Sequence, residues 1–424
     1  MVLPDEMIKV KVDEYLSFGY TLPELIEYSV KYDCSNNELS VEDWYKEINA
    51  VLNTVYDRIF AELPNHAKCV VPISGGWDSR ALLAEAVERL GADRVTTVTF
   101  GTPGQFDYDI GNYIGETFNT NHTAINLNYT RLSFSELVKS AKNSSWTYMP
   151  DAYFNKLARC AVCERDDLVL SGFMGDPTTG SFLNKKNNAL DGTILSFMKT
   201  QVRGRAISKD TFKRIRGVEI VSDAEVDSLS LYFNIRQKSC ILPIISGNSP
   251  RYQWTESLPS CGSTQAKIFS PFSSAEWIEL WSRVPRKLKE NQNLYLGYLN
   301  YQYPSFFSLP SKYSYGIHKR RFIRKFFRLS FLGSKYLVDK VFGKNRFFYE
   351  NLNYINYDTA FINRDDYRDL LKESFHIVSE FMGIDNDFDR LYREHCRDRL
   401  SHSEFFLLVI GAAVNIRAEA EVEK

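Results

Sequence analysis

The amino-acid sequence predicts an α/β fold: a parallel sheet with helices on both faces, followed by a mostly helical C-terminal half. Three observations lead there. Short β-branched or apolar runs alternate with helix-period segments between residues 69 and 171, the pattern of a parallel sheet rather than of hairpins. Glycine-bearing loops follow the first and the fourth of those runs, where open sheets bind ligands outside the carboxyl ends of their strands. From about residue 190 the alternation stops and helical spacing takes over. The implied division is an N-terminal segment over 1–39, an α/β domain over 40–190 and a helical domain over 191–424.

Each element has a local reason. Ser40 can cap a helix whose Glu42 and Asp43 suit the positive end of its dipole, and Trp44, Ile48, Val51, Leu52, Val55 and Ile59 mark one face. Residues 69–73 form the short apolar run that a buried strand needs. Pro72 argues against a central place in the ladder, although a proline at the very end of a strand is tolerable. A helix over 77–90 stops at Gly91. Then follow a strand at 94–100, a helix at 107–118, a strand at 122–127, helices at 134–141 and 151–163, and a fourth strand at 167–171. Beyond 190, segments 212–237 and 274–284 read as helical, and so does the tail from Asp365. Segment 312–346 is strongly basic and aromatic, with Asp339 its only acid.

Composition narrows the class. The chain has 424 residues, 44% hydrophobic and 25% charged, with a 14% aromatic share carried mainly by 29 Phe and 25 Tyr, so disorder is not expected over most of the length. A net charge of -1 does not call for a nucleic acid or membrane partner for the chain as a whole, and no DNA partner is expected. Seven cysteines, an odd number spread along the chain, do not form a disulfide framework. No basic region followed by an apolar run opens the sequence, and no stretch approaches about 18 uninterrupted apolar residues. The expectation is a cytoplasmic protein with reduced thiols.

Ser74-Gly75-Gly76-Trp77-Asp78-Ser79 lies between the first strand and its helix. Glycines there let the backbone turn tightly, so that amide N–H groups converge on one oxyanion while the helix N-terminus adds its dipole. Ser74 and Ser79 add hydroxyls. Asp78 beside a phosphate implies an intervening cation, which points to Mg²⁺. The loop lacks the Gly-x-x-x-x-Gly-Lys-Ser/Thr pattern of a Walker A sequence. After the fourth strand comes a second loop, Ser171-Gly172-Phe173-Met174-Gly175-Asp176-Pro177-Thr178-Thr179-Gly180-Ser181.

The first loop resembles the Ser-Gly-Gly-x-Asp-Ser signature of the PP-loop ATP pyrophosphatases. The pair of loops is similar to the synthetase domain of asparagine synthetases and relatives such as β-lactam synthetases. Their second loop, Ser-Gly-Glu-Gly-(Ala/Ser)-Asp-Glu-x-x-Gly-Gly, is matched here at Ser171, Gly172, Asp176 and Gly180. Weaker likenesses are Phe106-Asp107-Tyr108-Asp109 with Asn121-His122, Met149-Pro150-Asp151, and Ser270-Pro271-Phe272 with the later Val284-Pro285 and Leu309-Pro310.

The resemblance implies an ATP-dependent, AMP-forming amide ligase on the adenine nucleotide α-hydrolase-like fold. Ser74, Gly75, Gly76 and Ser79 would hold the pyrophosphate. Asp78 and Asp176 would share Mg²⁺ as the catalytic metal site, and the backbone around Val98, Phe100, Ser171 and Gly172 would hold adenine and ribose. A substrate carboxylate would attack the α-phosphorus of ATP, and an amine would then displace AMP. The family's later lysine has two candidates here, Lys312 and Lys319. No Cys follows Met1 and the segment ahead of Ser40 is too short for a glutaminase half. Nitrogen is therefore expected from ammonia, a separate ammonia-supplying subunit or an amine substrate.

Phe173 and Pro177 stand where the resembling loop is acidic. That departure keeps a second reading open, a non-catalytic nucleotide-binding homologue. Cys160 and Cys163 form a Cys-x-x-Cys pair, which keeps open a third, a PP-loop tRNA sulfurtransferase. No second pair completes a zinc site. The run over 318–332 alternates basic and apolar residues at near-helical spacing and is a candidate for membrane-surface or RNA contact, or for a helix with aromatics in the core. His122 and His395 are isolated and read as core or surface residues.

Overall fold

A five-stranded, all-parallel sheet in the order β3-β2-β1-β4-β5 forms the centre of the α/β part. The computed structural model describes residues 5–18, 39–141, 150–181, 266–312, 321–342, 354–397 and 402–422. The helix expected at 212–237, Met149, Lys319 and the 318–320 start of the basic run lie outside the described residues.

In chain order the elements are α1 (Asp5–Phe18), α2 (Val41–Ala61), β1 (Cys69–Pro72), α3 (Asp78–Leu90), β2 (Val95–Gly101), α4 (Phe106–Thr117), β3 (Asn121–Asn126), α5 (Phe134–Ala141), α6 (Asp151–Val162), β4 (Leu168–Leu170) and α7 (Gly175–Thr179). The helical half continues with β5 (Lys267–Phe269), α8 (Ala275–Arg283), α9 (Arg286–Lys289), α10 (Asn293–Gln302), α11 (Pro304–Phe307) and α12 (Arg321–Phe342). It ends with α13 (Tyr357–Asn363), α14 (Asp365–Met382), α15 (Phe388–Arg397) and α16 (Ser403–Val422).

β1 is the central strand despite its proline. β4 pairs with it only at Cys69 and Val70, so Pro72 lies past that ladder and its missing N–H breaks nothing there. On the other side Ile73 N–H, one residue on, donates to the Val98 carbonyl at 2.9 Å. β5 corrects the expectation that no strand follows residue 190. It runs parallel to β4, with Leu168 opposite Lys267 and Leu170 opposite Phe269. Three residues at a sheet edge carry no usable period, which is why the pattern hid it.

Both faces of the sheet are covered. Cys69, Val71, Leu168 and Leu170 pack with Trp44 and Ile48 of α2, Leu82 of α3, Trp277 and Trp281 of α8 and Tyr295 of α10. The alternate residues Val70, Val98 and Val169 pack against Ala158 of α6 and Cys163 just after it. Ser40 caps α2 as its chemistry requires, its Oγ accepting the Asp43 N–H at 3.1 Å.

The C-terminal helices build a second core around α16, whose Phe406, Leu408, Ala412, Ala413 and Val414 are fully buried. A helix apolar around its whole girth is an interior helix. α1 joins this core through Ile8, Val12, Tyr15 and Leu16. That helix was not read from the sequence, though its four apolar positions share one face. The contact is close enough that a Cβ on Gly411 would stand 2.1 Å from the Tyr15 hydroxyl.

Candidate functional site

The strand order places the switch point between β1, which leads to β2 and β3 on one side, and β4, which leads to β5 on the other. Ligands of open parallel sheets bind in the crevice at such a point. Here the two loops meet. A cavity of about 270 Å³ opens at the carboxyl ends of the strands, lined by Ser74 from the first loop, Ser171, Gly172 and Phe173 from the second, and Phe100 from β2. Asn155 and Arg159 of α6, together with Tyr354, also line it. Phe100 and Tyr354 stack with centroids 5.8 Å apart. Val98 stands a step behind, fully buried, with its carbonyl engaged by Ile73 N–H.

The first loop is held from within. Ser74 and Ser79 bring their hydroxyls to 3.2 Å, and Gly76 N–H donates to Ser74 Oγ at 3.2 Å. Gly75 N–H donates to Asp107 Oδ1 at 3.1 Å. A Cβ on Gly75 would sit 3.1 Å from the Phe106 carbonyl and 3.2 Å from Lys312 Cβ, so glycine here permits a close approach that another residue would push apart.

Asp78, at the first turn of α3, is partly buried between the two loops. Its Oδ2 accepts the Asp176 N–H at 3.1 Å and its Oδ1 accepts the Tyr295 hydroxyl at 3.0 Å. Burial first, and the charge of Asp176 second, hold the Asp78 carboxyl well above the usual carboxylate range. Burial and Asp78 likewise push the Tyr295 phenol up, so it remains a donor. Gly175 lets the second loop come this near, since a Cβ on it would stand 2.4 Å from Asp78 Cγ. Gly175→Ala is accordingly expected to destabilise the fold by about 1–3 kcal/mol in urea unfolding, by forcing the loops apart.

The second loop is pinned from the helical half. Trp277 Nε1–H donates to Thr178 Oγ1 at 2.8 Å, Gln292 to Thr179 Oγ1 at 2.6 Å, and Ser270 Oγ–H to the Phe173 carbonyl at 2.7 Å. Met174 adopts a left-handed backbone, φ 70°. The strain is of order 1 kcal/mol and is offset by full burial of its side chain. Phe173 lines the cavity, so the position that is acidic in the resembling loop presents an aromatic ring here.

Lys312 is the described member of the two lysine candidates. Its N–H donates to the Gly75 carbonyl at 3.1 Å and its Nζ donates to Asp107 Oδ2 at 3.2 Å. The segment leading to it is anchored on α3 by Arg80, which is 1% exposed and donates to the carbonyls of Phe306, Leu309 and Pro310 at 3.2, 3.1 and 2.6 Å. Burial lowers the Arg80 proton affinity to about 10, so it stays cationic at neutral pH.

Asp107, Tyr295, Arg80 and the α6 pair Asn155 and Arg159 were not singled out as site residues. Asp107 alone had a local signal, its position at the start of the helix after β2. His122 uses both ring nitrogens internally, with Thr97 at 2.8 Å and Asn112 at 2.9 Å. His395 donates from Nε2 to the Asp358 carbonyl and accepts the His402 N–H at Nδ1. Cys160 is exposed and Cys163 buried against Val70 and Val98, and neither lines the cavity. No protein-family model matches the sequence, and no curated protein does.

Proposed function

We propose that the chain is an ATP-dependent, AMP-forming ligase that adenylates a substrate carboxylate and passes its acyl group to ammonia or an amine. The observation that carries this reading is the meeting of the 74–79 and 171–176 loops at the switch point, where the Asp78 carboxylate accepts the Asp176 N–H and Ser74, Ser171, Gly172 and Phe173 line the cavity. Among the described residues no cluster of three metal-ligating side chains occurs. Two carboxylates suit Mg²⁺, which binds through one or two acidic side chains and takes its other ligands from phosphates and water. Burial, and then the charge of Asp176, raise the Asp78 carboxyl, and a bound cation would favour its ionised form against both.

Asp78 and Asp176 would hold the ion, whose chemistry is to neutralise charge on the departing pyrophosphate. The chain's own groups do the rest. Ser74 and Ser79 offer hydroxyls at the start of α3, where the helix dipole favours an anion. Lys312 stands beside the same loop with a cation for charge that develops on the phosphates. Phe100 and Tyr354 provide a flat apolar wall for a base, and Ser171 and Gly172 rim the space beside it. No protein nucleophile is needed, since positioning two anionic reactants supplies most of the rate.

The test is pyrophosphate release from ATP with a panel of carboxylates and amines, against an Asp78→Ala control. AMP and pyrophosphate in equal amounts, dependent on Mg²⁺ and lost in the control, are expected. Release of ADP and phosphate, or absence of both ATP binding and Mg²⁺ dependence, would sink the proposal.

A further inference from the structure

α12 presents apolar side chains to solvent. Over Arg321–Phe342 it carries Arg321, Arg324, Lys325, Arg328, Lys335 and Lys340 against a single acid, Asp339. An amphipathic helix of a folded chain normally turns its apolar stripe inward. Here Tyr336 is 68% exposed, Leu337 64% and Val341 59%, while Lys335, Val338 and Asp339 on the other side are half-buried. Lys335 and Asp339 pair with each other at 2.6 Å.

The exposed apolar residues Tyr336, Leu337, Val341 and Phe342 are neighbours on the helix. They lie within about one and a half helical turns of one another, so they form one patch. Lys340, between them in the chain, is exposed as well. Among the described residues no helix is long and apolar enough to cross a membrane. A helix that exposes apolar side chains and carries six cations against one acid has the build of one that lies in the plane of a lipid interface.

Charge decides between occupants. The whole chain has a net charge of -1, so the excess of cations is a property of this helix and not of the protein. A second copy packed on the same patch would bring two such cationic helices together, which repels. An anionic surface would attract them, each cation near it contributing on the order of a fivefold gain in partitioning. We propose that α12 docks the protein on an anionic lipid surface, with Tyr336, Leu337 and Val341 entering the interface and Lys340 among them at the lipid headgroups.

Cosedimentation of the full chain with phosphatidylcholine vesicles, with and without phosphatidylserine, tests this. Binding is expected only with the anionic lipid and is expected to weaken in high salt. The double variant Leu337→Glu with Val341→Glu should bind at least about tenfold more weakly, and Lys340→Gln about fivefold. Because these side chains are exposed, the variants should keep the wild-type circular dichroism. Tyr336→Trp gives an independent readout, an emission shift to shorter wavelength on adding phosphatidylserine vesicles and none with phosphatidylcholine alone. Failure of the wild type to bind anionic vesicles, or equal binding by the double variant, overturns the proposal. So does a dimer in light scattering that Leu337→Glu dissolves, which would assign the patch to a second copy.

Discussion

Asp78→Asn should lower pyrophosphate release by about a thousandfold or more while leaving the chain folded, the scale expected when transition-state charge loses its metal support. The asparagine fits because both neighbours can adapt. Asp176 N–H still finds the side-chain oxygen, and the Tyr295 hydroxyl, now a donor to Asp78, can turn to accept from the new amide. The loss would therefore report chemistry and not collapse, which circular dichroism can verify.

The same variant should also remove one contribution to the pH dependence of stability. In metal-free buffer the folded Asp78 carboxyl titrates well above its ordinary value of about 3.9, through burial and then Asp176. Between that ordinary value and the folded one, the native state binds more protons than the unfolded state, so stability falls as pH rises. The contribution is fully present in acid below the unfolded value and is lost through the folded one, at about 1.4 kcal/mol per pH unit within the window. Urea midpoints measured from mild acid to neutrality should thus decline in wild type relative to Asp78→Asn. Mg²⁺ with ATP should restore the wild type at neutral pH and do little for the variant. Parallel pH profiles for the two proteins would show that burial and Asp176 do not raise the Asp78 carboxyl.

What could be read in advance follows from the range over which each signal acts. The strand–helix alternation was legible because strands buried on both faces leave continuous apolar runs, as Cys69, Val70 and Val71 do. The 74–79 loop was legible because tight anion-binding turns need glycine within a few residues. β5 was not legible, having only Lys267, Ile268 and Phe269. Much of the site is non-local. Gly75 and Asp107 are 32 residues apart, Lys312 and Asp107 are 205 apart, and Tyr295 and Asp78 are 217 apart. No periodicity links such pairs, so sequence alone could not choose between Lys312 and Lys319. Tyr295 could be seen only as one of many aromatics, until its hydroxyl was found on Asp78.

Lys312→Met should reduce kcat for pyrophosphate release by roughly 10²- to 10³-fold with only a few-fold change in KM for ATP. Methionine preserves much of the stem and its packing against Gly75, and the backbone bond from residue 312 to the Gly75 carbonyl does not depend on the side chain. What disappears is the ammonium held on Asp107 Oδ2. Asp107 is 5% exposed and binds the loop amide and the lysine with its two oxygens, so it couples the phosphate loop to the helical half. Asp107→Asn keeps an acceptor for Gly75 N–H but gives up the charge that orients Lys312. A fall in kcat on the order of tenfold is expected, smaller than for Lys312→Met because the cation remains. Combining the two should cost little more than Lys312→Met alone, since Asp107 would act through the lysine. Fully multiplicative losses would instead mean that Asp107 contributes separately, by shaping the loop through Gly75. If Lys312→Met left kcat intact, the catalytic cation would have to be sought at Lys319, the other candidate.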